Sequence, residues 1–165
     1  MIVPIRLTFL TLLAAVTLVG CGFQLQGKNE LPAEMGSTAI ETSDPYTQFV
    51  RRLTILLEQN GASVVDAGPP TARLQLPEDR VRREVLSIGG SARIREYRVV
   101  HRVRFRLVDA NGTVLVPEQT IEQSRVISFD EQNILAATRE EEFLREELAN
   151  TLAREVLRRL GAGAG

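Results

Sequence analysis

The fold is decided by the segment Glu96-Tyr97-Arg98-Val99-Val100-His101-Arg102-Val103-Arg104-Phe105-Arg106-Leu107-Val108. Successive side chains of a β-strand point to opposite faces of a sheet, so these residues fall into two sets. One set is apolar apart from a histidine: Tyr97, Val99, His101, Val103, Phe105 and Leu107. The other set is mainly basic: Arg98, Val100, Arg102, Arg104 and Arg106. The segment therefore predicts a strand with one face in the core and one strongly basic face.

Turn-forming residues flank this strand on both sides. Gly89-Gly90-Ser91 precedes it and Asp109-Ala110-Asn111-Gly112 follows it, and both sequences permit the positive φ angles of hairpin turns. The preceding strand is predicted from Leu74 to Ile88 with a bulge or break at Pro77, because proline cannot donate a hydrogen bond to a strand ladder. The following strand is predicted at Thr120–Phe129. Together the three strands form an antiparallel meander.

Two other segments carry apolar residues at helical spacing. The first is predicted to begin at Ser43-Asp44-Pro45, with Asp44 as the cap, and to end at Asn60-Gly61. The second is predicted to be capped by Asp130. Its apolar stripe is predicted to consist of Ile134, Leu135, Phe143, Leu144, Leu148, Leu152, Val156 and Leu160.

Short strands are predicted on either side of the first helix, at Thr38–Thr42 and Val64-Val65. Two helices packed on one face of a mainly antiparallel sheet give a two-layer α+β sandwich, which is the predicted fold class.

The N-terminal segment predicts a lipoprotein. The apolar run from Leu7 to Val19 is too short to span a bilayer as a helix and is typical of a signal peptide. Leu18-Val19-Gly20-Cys21 is similar to a bacterial lipobox, which predicts a signal peptide at residues 1–20 and a lipid anchor at Cys21. Gly22 replaces the aspartate typical of inner-membrane retention, so we expect the outer membrane. A plain secretory signal with a free or buried cysteine is the alternative reading.

The rest of the chain predicts one domain. Removing 20 of 165 residues leaves 145, which suffices for one core. We expect a tether at 21–36, a single α+β domain at 37–160 and a flexible tail at 161–165. Removing Arg6 leaves 19 basic residues against 21 acidic ones, and this near-neutral balance gives no case for a nucleic-acid partner.

Arginines are concentrated in one part of the domain. Residues 80–106 contain nine arginines and only two acids, Glu84 and Glu96. Forked guanidinium groups bind phosphates and carboxylates well, so this excess indicates an anion-binding surface. The alternative is a solvated sheet face whose arginines pair with acids on neighbouring strands or on the last helix.

The sequence shows no arrangement typical of an enzyme. His101 is the only histidine, so neither a Ser-His-Asp triad nor a histidine-rich metal site is expected, and we predict a core or edge role for it. Glu140-Glu141-Glu142 and Glu146-Glu147 are interpreted as a solvated helix face. Gly89-Gly90 lacks the lysine of a phosphate-binding loop. We therefore predict no catalytic residue, no metal and no cofactor.

Several stretches are shared with a known family. They are Cys21–Gly27 (CGFQLQG) after the lipobox, Leu31-Pro32, Glu96-Tyr97, Phe129-Asp130 and the helix end Leu157-Arg158-Arg159-Leu160. In these residues the chain resembles the LptE family of lipopolysaccharide-assembly lipoproteins. The resemblance implies a small sheet with two helices packed on it, which agrees with the fold predicted above.

The resemblance also implies a function and a partner. It implies a lipid-anchored protein on the periplasmic side of the outer membrane that plugs the LptD β-barrel in a 1:1 complex, supports its assembly and takes part in lipopolysaccharide transport. Lipopolysaccharide binding would fall to Arg93, Arg95 and Arg125, with a further basic face at Arg98, Arg102, Arg104 and Arg106. The alternative is a periplasm-facing lipoprotein that binds or scaffolds another envelope ligand or cargo.

Overall fold

The structure is a computed structural model that describes residues 30–88, 94–128 and 134–163. The predicted signal peptide and Cys21 lie outside these residues. A 3-10 turn at Ala33–Gly36 leads into the domain. The elements that follow are β1 (Ser37–Thr42), α1 (Gln48–Gln59), β2 (Ser63–Val64), β3 (Ala72–Ile88), β4 (Ile94–Asp109), β5 (Val114–Ser128) and α2 (Ile134–Ala162).

The five strands form one mixed sheet in the order β2-β1-β3-β4-β5. β3, β4 and β5 are antiparallel, as predicted, whereas β1 is parallel to both β2 and β3. The parallel pairs follow from α1, because a helix between two strands returns the chain to the end where the first strand began. The α+β sandwich with two helices is confirmed.

The meander is longer than the sequence indicated. β3 runs through Pro77 as one strand, and its register with β4 shifts between Gln75 and Glu78. This bulge confirms the predicted irregularity and removes the proline from the ladder. β5 begins at Val114, six residues before the predicted start at Thr120. Strands of 15 to 17 residues reach roughly 50 Å, which is longer than a compact core of this size needs.

The two faces of β4 are as predicted, except that one residue of the basic face, Val100, is also buried. The inward residues Tyr97, Val99, His101, Val103, Phe105 and Leu107 are all buried. Val100 points to the other face, yet it is only 1% exposed. Its neighbours on that face are Arg98 and Arg102 along the strand and Arg82 across it. We attribute the burial to the aliphatic stems of these arginines, whose charged ends reach solvent.

Helix α1 begins later than predicted. Thr47 is its N-cap, and the Thr47 Oγ1 accepts a hydrogen bond from the Val50 N–H at 3.1 Å. The Asp44 cap is therefore wrong: its Oδ1 accepts from the Tyr46 N–H at 2.9 Å, within the turn before the helix. The Thr47 hydroxyl also donates to Asp79 Oδ2 on β3 at 2.6 Å. This tertiary contact fixes the threonine at the cap position.

Helix α2 has a different apolar stripe in its first half. Leu148, Leu152, Val156 and Leu160 are fully buried, as predicted, but Ile134, Leu135 and Phe143 are 58%, 78% and 66% exposed. The inward positions in the first half are Ala137 and Glu141, which continue the line of Leu148 at helical spacing. Phe143 lies two residues from Glu141, about 200° around the helix, and therefore points away from the sheet.

The C-terminal end of α2 is anchored. The helix continues to Ala162, past the predicted domain bound at residue 160, and the Gly163 N–H donates to the Arg159 carbonyl at 3.2 Å. A Cβ on Gly163 would lie 2.8 Å from Val116 Cγ2, so a larger residue here would require Val116 to move. The first residues of the predicted tail therefore belong to the folded domain.

The buried residues form two clusters. The larger one joins α1, the second half of α2 and the sheet. The smaller one consists of Tyr97, Val99, Ile127 and Leu148, with Val81 and Leu144 packed against it. It lies under the first half of α2, towards the Ile94 end of β4. Arg83 and Arg125 lie beside this cluster, because both are paired in the sheet with Val99, which belongs to it.

The larger cluster should dominate stability. Leu53 of α1 is completely buried in it, and Ile55, two residues away, is 43% exposed. We expect Leu53→Ala to lower the free energy of unfolding by about 2–5 kcal/mol, because it leaves a cavity. Ile55→Ala is the control and should cost much less. Urea denaturation followed by circular dichroism measures both, and equal losses would contradict the packing described.

Candidate functional site

Two of the arginines proposed for lipopolysaccharide, Arg95 and Arg125, lie towards one end of the sheet. Arg125 lies in β5 opposite Val99 of β4. Arg95 is the second residue of β4, four positions from Val99 towards the start of the strand, which corresponds to roughly 13 Å along the strand. Arg93 lies outside the described residues. The structure therefore places Arg95 and Arg125 on neighbouring strands.

Arg125 lies on the face of the sheet that α2 covers. Its Nη2 donates to Glu147 Oε1 of α2 at 2.7 Å, and its Nη1 donates to the Ser124 carbonyl at 3.0 Å. The side chain is still 39% exposed. The guanidinium is therefore reachable from solvent, but an incoming anion has to share it with Glu147 or displace that carboxylate.

The further basic face lies on the opposite side of the sheet. Acids on neighbouring strands pair with its arginines: Arg102 Nε lies 2.7 Å from Glu122, Arg104 Nη2 lies 3.4 Å from Glu78, and Arg98 Nη1 lies 3.7 Å from Glu84. Arg106 donates to Gln75 on β3. For these residues the structure supports the alternative of a solvated face with cross-strand pairs.

These outer pairs are exposed and screened by solvent, so they contribute little to stability. Their main effect is to neutralise a row of like charges that would otherwise repel one another across the strands. The hydrogen bond to Glu122 also raises the pKa of Arg102, which keeps this guanidinium charged. The arginine-rich strand thus presents a balanced surface of both charges.

A buried carboxylate joins α2 to the sheet beside Arg125. Glu141 is only 4% exposed. Arg83 of β3 binds both of its oxygens, with Nε 2.8 Å from Oε1 and Nη2 2.5 Å from Oε2. The Tyr97 hydroxyl donates to Oε2 at 2.9 Å, and Arg145 donates to Oε1 at 2.8 Å. We call Glu141, Arg83, Tyr97 and Arg145 the Glu141 cluster.

Burial and hydrogen bonding shift the pKa of the Glu141 carboxylate in opposite directions. Desolvation raises the pKa of Glu141, but the hydrogen bonds from Arg83, Tyr97 and Arg145 together outweigh it and hold the pKa below its usual value. Burial raises the pKa of Tyr97, and its hydrogen bond to Glu141 raises it further. At neutral pH the cluster therefore contains an ionised carboxylate and a protonated tyrosine donor.

The interpretation of Glu140-Glu141-Glu142 as a solvated face is wrong for Glu141. The sequence did contain a sign that Glu141 is buried, because this residue lies four residues after Ala137 and seven before Leu148, on the side of α2 that faces the sheet. It also lies four residues before Arg145, which is a favourable helical ion pair. The partners on β3 and β4 could not be found from spacing.

His101 is a core residue, as predicted. It is 2% exposed, and its Nε2 lies 2.7 Å from Asp79 Oδ1. Its ring meets Phe49 of α1 edge-on, with centroids 5.8 Å apart. Since Asp79 also accepts from Thr47, the histidine is linked to the cap of α1. These contacts give His101 a role in joining the sheet to the helix.

The described ranges contain neither a candidate metal site nor a candidate membrane-spanning helix. In residues 30–88, 94–128 and 134–163, no group of three or more His, Cys, Asp or Glu side chains is placed to hold a metal ion. Over the same ranges, no helix has the length and hydropathy needed to cross a membrane.

Solved structures define the class of protein. The fold matches an uncharacterized lipoprotein B from Nitrosomonas europaea with a TM-score of 0.69 and 29% identity, over 86% of this chain and 91% of that one. It also matches the rare lipoprotein B of Shewanella oneidensis with a TM-score of 0.64 and 25% identity, over 76% and 94% of the two chains. The α+β sandwich is thus a fold that bacterial lipoproteins adopt.

The family follows from the sequence comparison. The LptE family model, described as lipopolysaccharide-assembly, matches residues 35–160, and the chain belongs to this family. It is 27% identical over 156 residues to the LPS-assembly lipoprotein LptE of Photorhabdus laumondii, covering 93% of this chain and 84% of that protein. The protein is therefore a lipoprotein of lipopolysaccharide assembly.

The Glu141 cluster predicts a pH dependence. Because the pKa of Glu141 is lowered on folding, its contribution to stability is present above the usual value of 4.5 and is lost as the pH falls through the lower folded value. Glu141→Gln should destabilise the protein by about 1–3 kcal/mol at pH 7. The difference from the unmodified protein should shrink below about pH 4.

Glu142→Gln is the matched control, since Glu142 is exposed on the same helix. Thermal unfolding of the three proteins between pH 3 and pH 7 measures the effect. A Glu141→Gln difference that does not vary with pH would show that the carboxylate contributes through its shape rather than its charge.

Proposed function

We propose that this lipoprotein plugs the LptD β-barrel, supports its assembly and binds lipopolysaccharide during transport to the outer leaflet. The acylated Cys21 would anchor it at the periplasmic side of the outer membrane, and the role requires no catalysis. The observation that carries the proposal is the family match over residues 35–160, which spans the whole sheet and nearly all of α2.

The outer face of the sheet supports a position inside a barrel. A large barrel has a polar, water-filled lumen, so its plug needs a polar surface rather than a large apolar patch. The cross-strand pairs of Arg98, Arg102 and Arg104 with glutamates provide such a surface. Since each pair is exposed, its members can exchange partners with polar groups on a barrel wall at little cost.

The end of the sheet near Arg95 and Arg125 supports lipopolysaccharide binding. Lipid A carries phosphate groups, which guanidinium forks bind through two hydrogen bonds at once. Arg125 is partly exposed and held by one carboxylate, and Arg95 lies on the adjacent strand. The Glu141 cluster holds α2 beside this end, so that Glu147 stays within reach of Arg125. Glu147 is therefore the competitor that a phosphate has to overcome.

The proposed lipopolysaccharide site predicts an effect of charge reversal. Replacing Arg93, Arg95 and Arg125 with Glu should weaken binding at least tenfold, because charge-assisted hydrogen bonds become repulsions. The loss should be smaller at high salt, where these charges are screened. Binding to immobilised lipopolysaccharide at two salt concentrations measures this.

Arg73, Arg154 and Arg158, which lie away from the site, provide a control when all three are replaced with Glu, because the change in net charge is identical. Glu147→Gln gives a test in the opposite direction: it removes the competitor of Arg125 and should strengthen binding. Equal losses in both triple variants, or weaker binding in Glu147→Gln, would contradict the proposed site.

The proposed lipid anchor at Cys21 and the proposed barrel partner can both be tested by purification from membranes. When outer membranes are dissolved in detergent, the protein should copurify in equal amounts with one large β-barrel. Cys21→Ala should prevent acylation, so that protein made without the barrel no longer sediments with membranes. Copurification with a different envelope component would favour the alternative of a binding or scaffold lipoprotein, and membrane association of Cys21→Ala would argue against the anchor.

A further inference from the structure

Two arginines of the Glu141 cluster lie at the surface. The side chains of Arg83 and Arg145 are 59% and 40% exposed, although both bind the buried Glu141. The Nε atom of each donates to the same oxygen, Glu141 Oε1, at 2.8 Å, and the Nη2 atoms also lie within ion-pair distance of this carboxylate. The carboxylate therefore holds the two guanidinium groups side by side at the surface.

Both guanidinium groups keep donors that solvent reaches. The Nη1 atoms of Arg83 and Arg145 have no hydrogen bond or ion pair with any residue of the described ranges. Arg145 Nη1 is not buried, and more than half of the Arg83 side chain is exposed. A ligand in solution can thus reach these donors while Nε and Nη2 stay bound to Glu141.

The charges of these groups favour an anionic ligand. Arg83 and Arg145 carry two positive charges against one negative charge on Glu141, so together they leave a net charge of about +1 at neutral pH. Over residues 30–88, 94–128 and 134–163, neither arginine forms an ion pair with a second carboxylate. Neighbouring guanidinium groups repel each other, and an anion bound to both would offset this repulsion.

A phosphate group fits this pair of arginines. Guanidinium forks bind phosphate through charge-assisted hydrogen bonds, often two at once. A terminal phosphate offers three acceptor oxygens and a charge of about −1.5 to −2, whereas a carboxylate offers two oxygens and a single charge. A phosphate can therefore accept from both Nη1 groups together, and it gains more than a carboxylate does from the excess positive charge.

An exposed apolar side chain adjoins the arginines. Val85 lies on the same face of β3 as Arg83, two residues further along, which corresponds to about 7 Å. It is paired with Tyr97 of β4 and is 51% exposed, so α2 leaves half of it open to solvent. An apolar chain joined to the phosphate would cover Val85 and remove it from water.

These groups lie apart from Arg125. Val99 of β4 is paired with Arg83 on one side and with Arg125 on the other, so the two arginines are two strands apart, or roughly 10 Å. Leu148 of α2 packs with Val99 between them. We propose that Arg83 and Arg145 form a second anion site, which binds the phosphate group of a lipid on the side of α2 away from Arg125. The choice of a lipid rests on the proposed function, because lipopolysaccharide carries both phosphates and acyl chains.

A titration of the acylated protein in a neutral detergent tests the site. The probe is monobutyl phosphate, and the comparison ligands are inorganic phosphate and pentanoate, which has the same chain on a carboxylate. The readout is the NMR signals of the Arg83 and Arg145 Nε–H groups, which their hydrogen bonds to Glu141 protect from exchange. We expect saturable shifts with monobutyl phosphate. Inorganic phosphate should bind about threefold more weakly or worse, because it cannot cover Val85.

Variants assign the binding to the two arginines. Arg145→Gln should weaken the binding of monobutyl phosphate about tenfold, because it removes a charge-assisted donor while Arg83 still holds Glu141. Val85→Ser should weaken the binding of monobutyl phosphate and leave that of inorganic phosphate unchanged.

Arg158→Gln is the matched control, because Arg158 and Arg159 share Glu155 on the same helix and this substitution removes the same charge. It should not change the titration of the Arg83 signal.

Four results would each overturn the proposal: unchanged affinity in Arg145→Gln, tighter binding of pentanoate than of monobutyl phosphate, equal binding of inorganic phosphate, or a loss confined to Arg125→Gln. Equal binding of inorganic phosphate would identify the free ion as the ligand. If monobutyl phosphate binds at Arg145 but the protein fails to bind lipopolysaccharide, the second site stands and the proposed function fails.

Discussion

The rest of the structure depends on the burial of one face of β4. This strand lies between β3 and β5, and its inward side chains contribute to both clusters of buried residues. A shift of one residue would turn this face to solvent and place arginines under the helices, at a cost of many kcal/mol. The pattern of β4 therefore fixes the register of its neighbours and the face on which both helices pack.

That same register divides the arginines into two groups. On the outer face, Arg98, Arg102 and Arg104 stand opposite glutamates of β3 and β5, and the strand spacing brings the opposite charges together. Arg83 and Arg125 point instead to the side of α2 and meet Glu141 and Glu147. One group therefore forms a balanced polar surface suited to the proposed plug. The other attaches the helix and lines the proposed lipopolysaccharide site.

Helix α2 extends beyond the larger cluster of buried residues. It therefore contacts both that cluster and the part of the sheet that contains Arg125. Its second half is held by apolar contacts from Leu148 to Leu160, and its first half is held by the Glu141 cluster together with Leu144, which packs against the smaller cluster of buried residues. Apolar packing does not depend directly on pH, whereas a carboxylate held by arginines is weakened when it becomes protonated. The half of the helix next to Arg125 is thus attached in part by an interaction that depends on pH.

The sequence by itself determined the meander, the two faces of β4, the core position of His101 and the family, because strand alternation and short motifs are local properties. Only the tertiary structure decided that β1 is parallel to its neighbours, that Thr47 caps α1 and that Glu141 is buried. It also decided that Phe143 faces outward and which acid each arginine meets. Most of these depend on contacts between residues far apart in the chain, such as Arg125 with Glu147, which are 22 positions apart, and Arg83 with Glu141, which are 58 positions apart, and no local pattern specifies such a pairing.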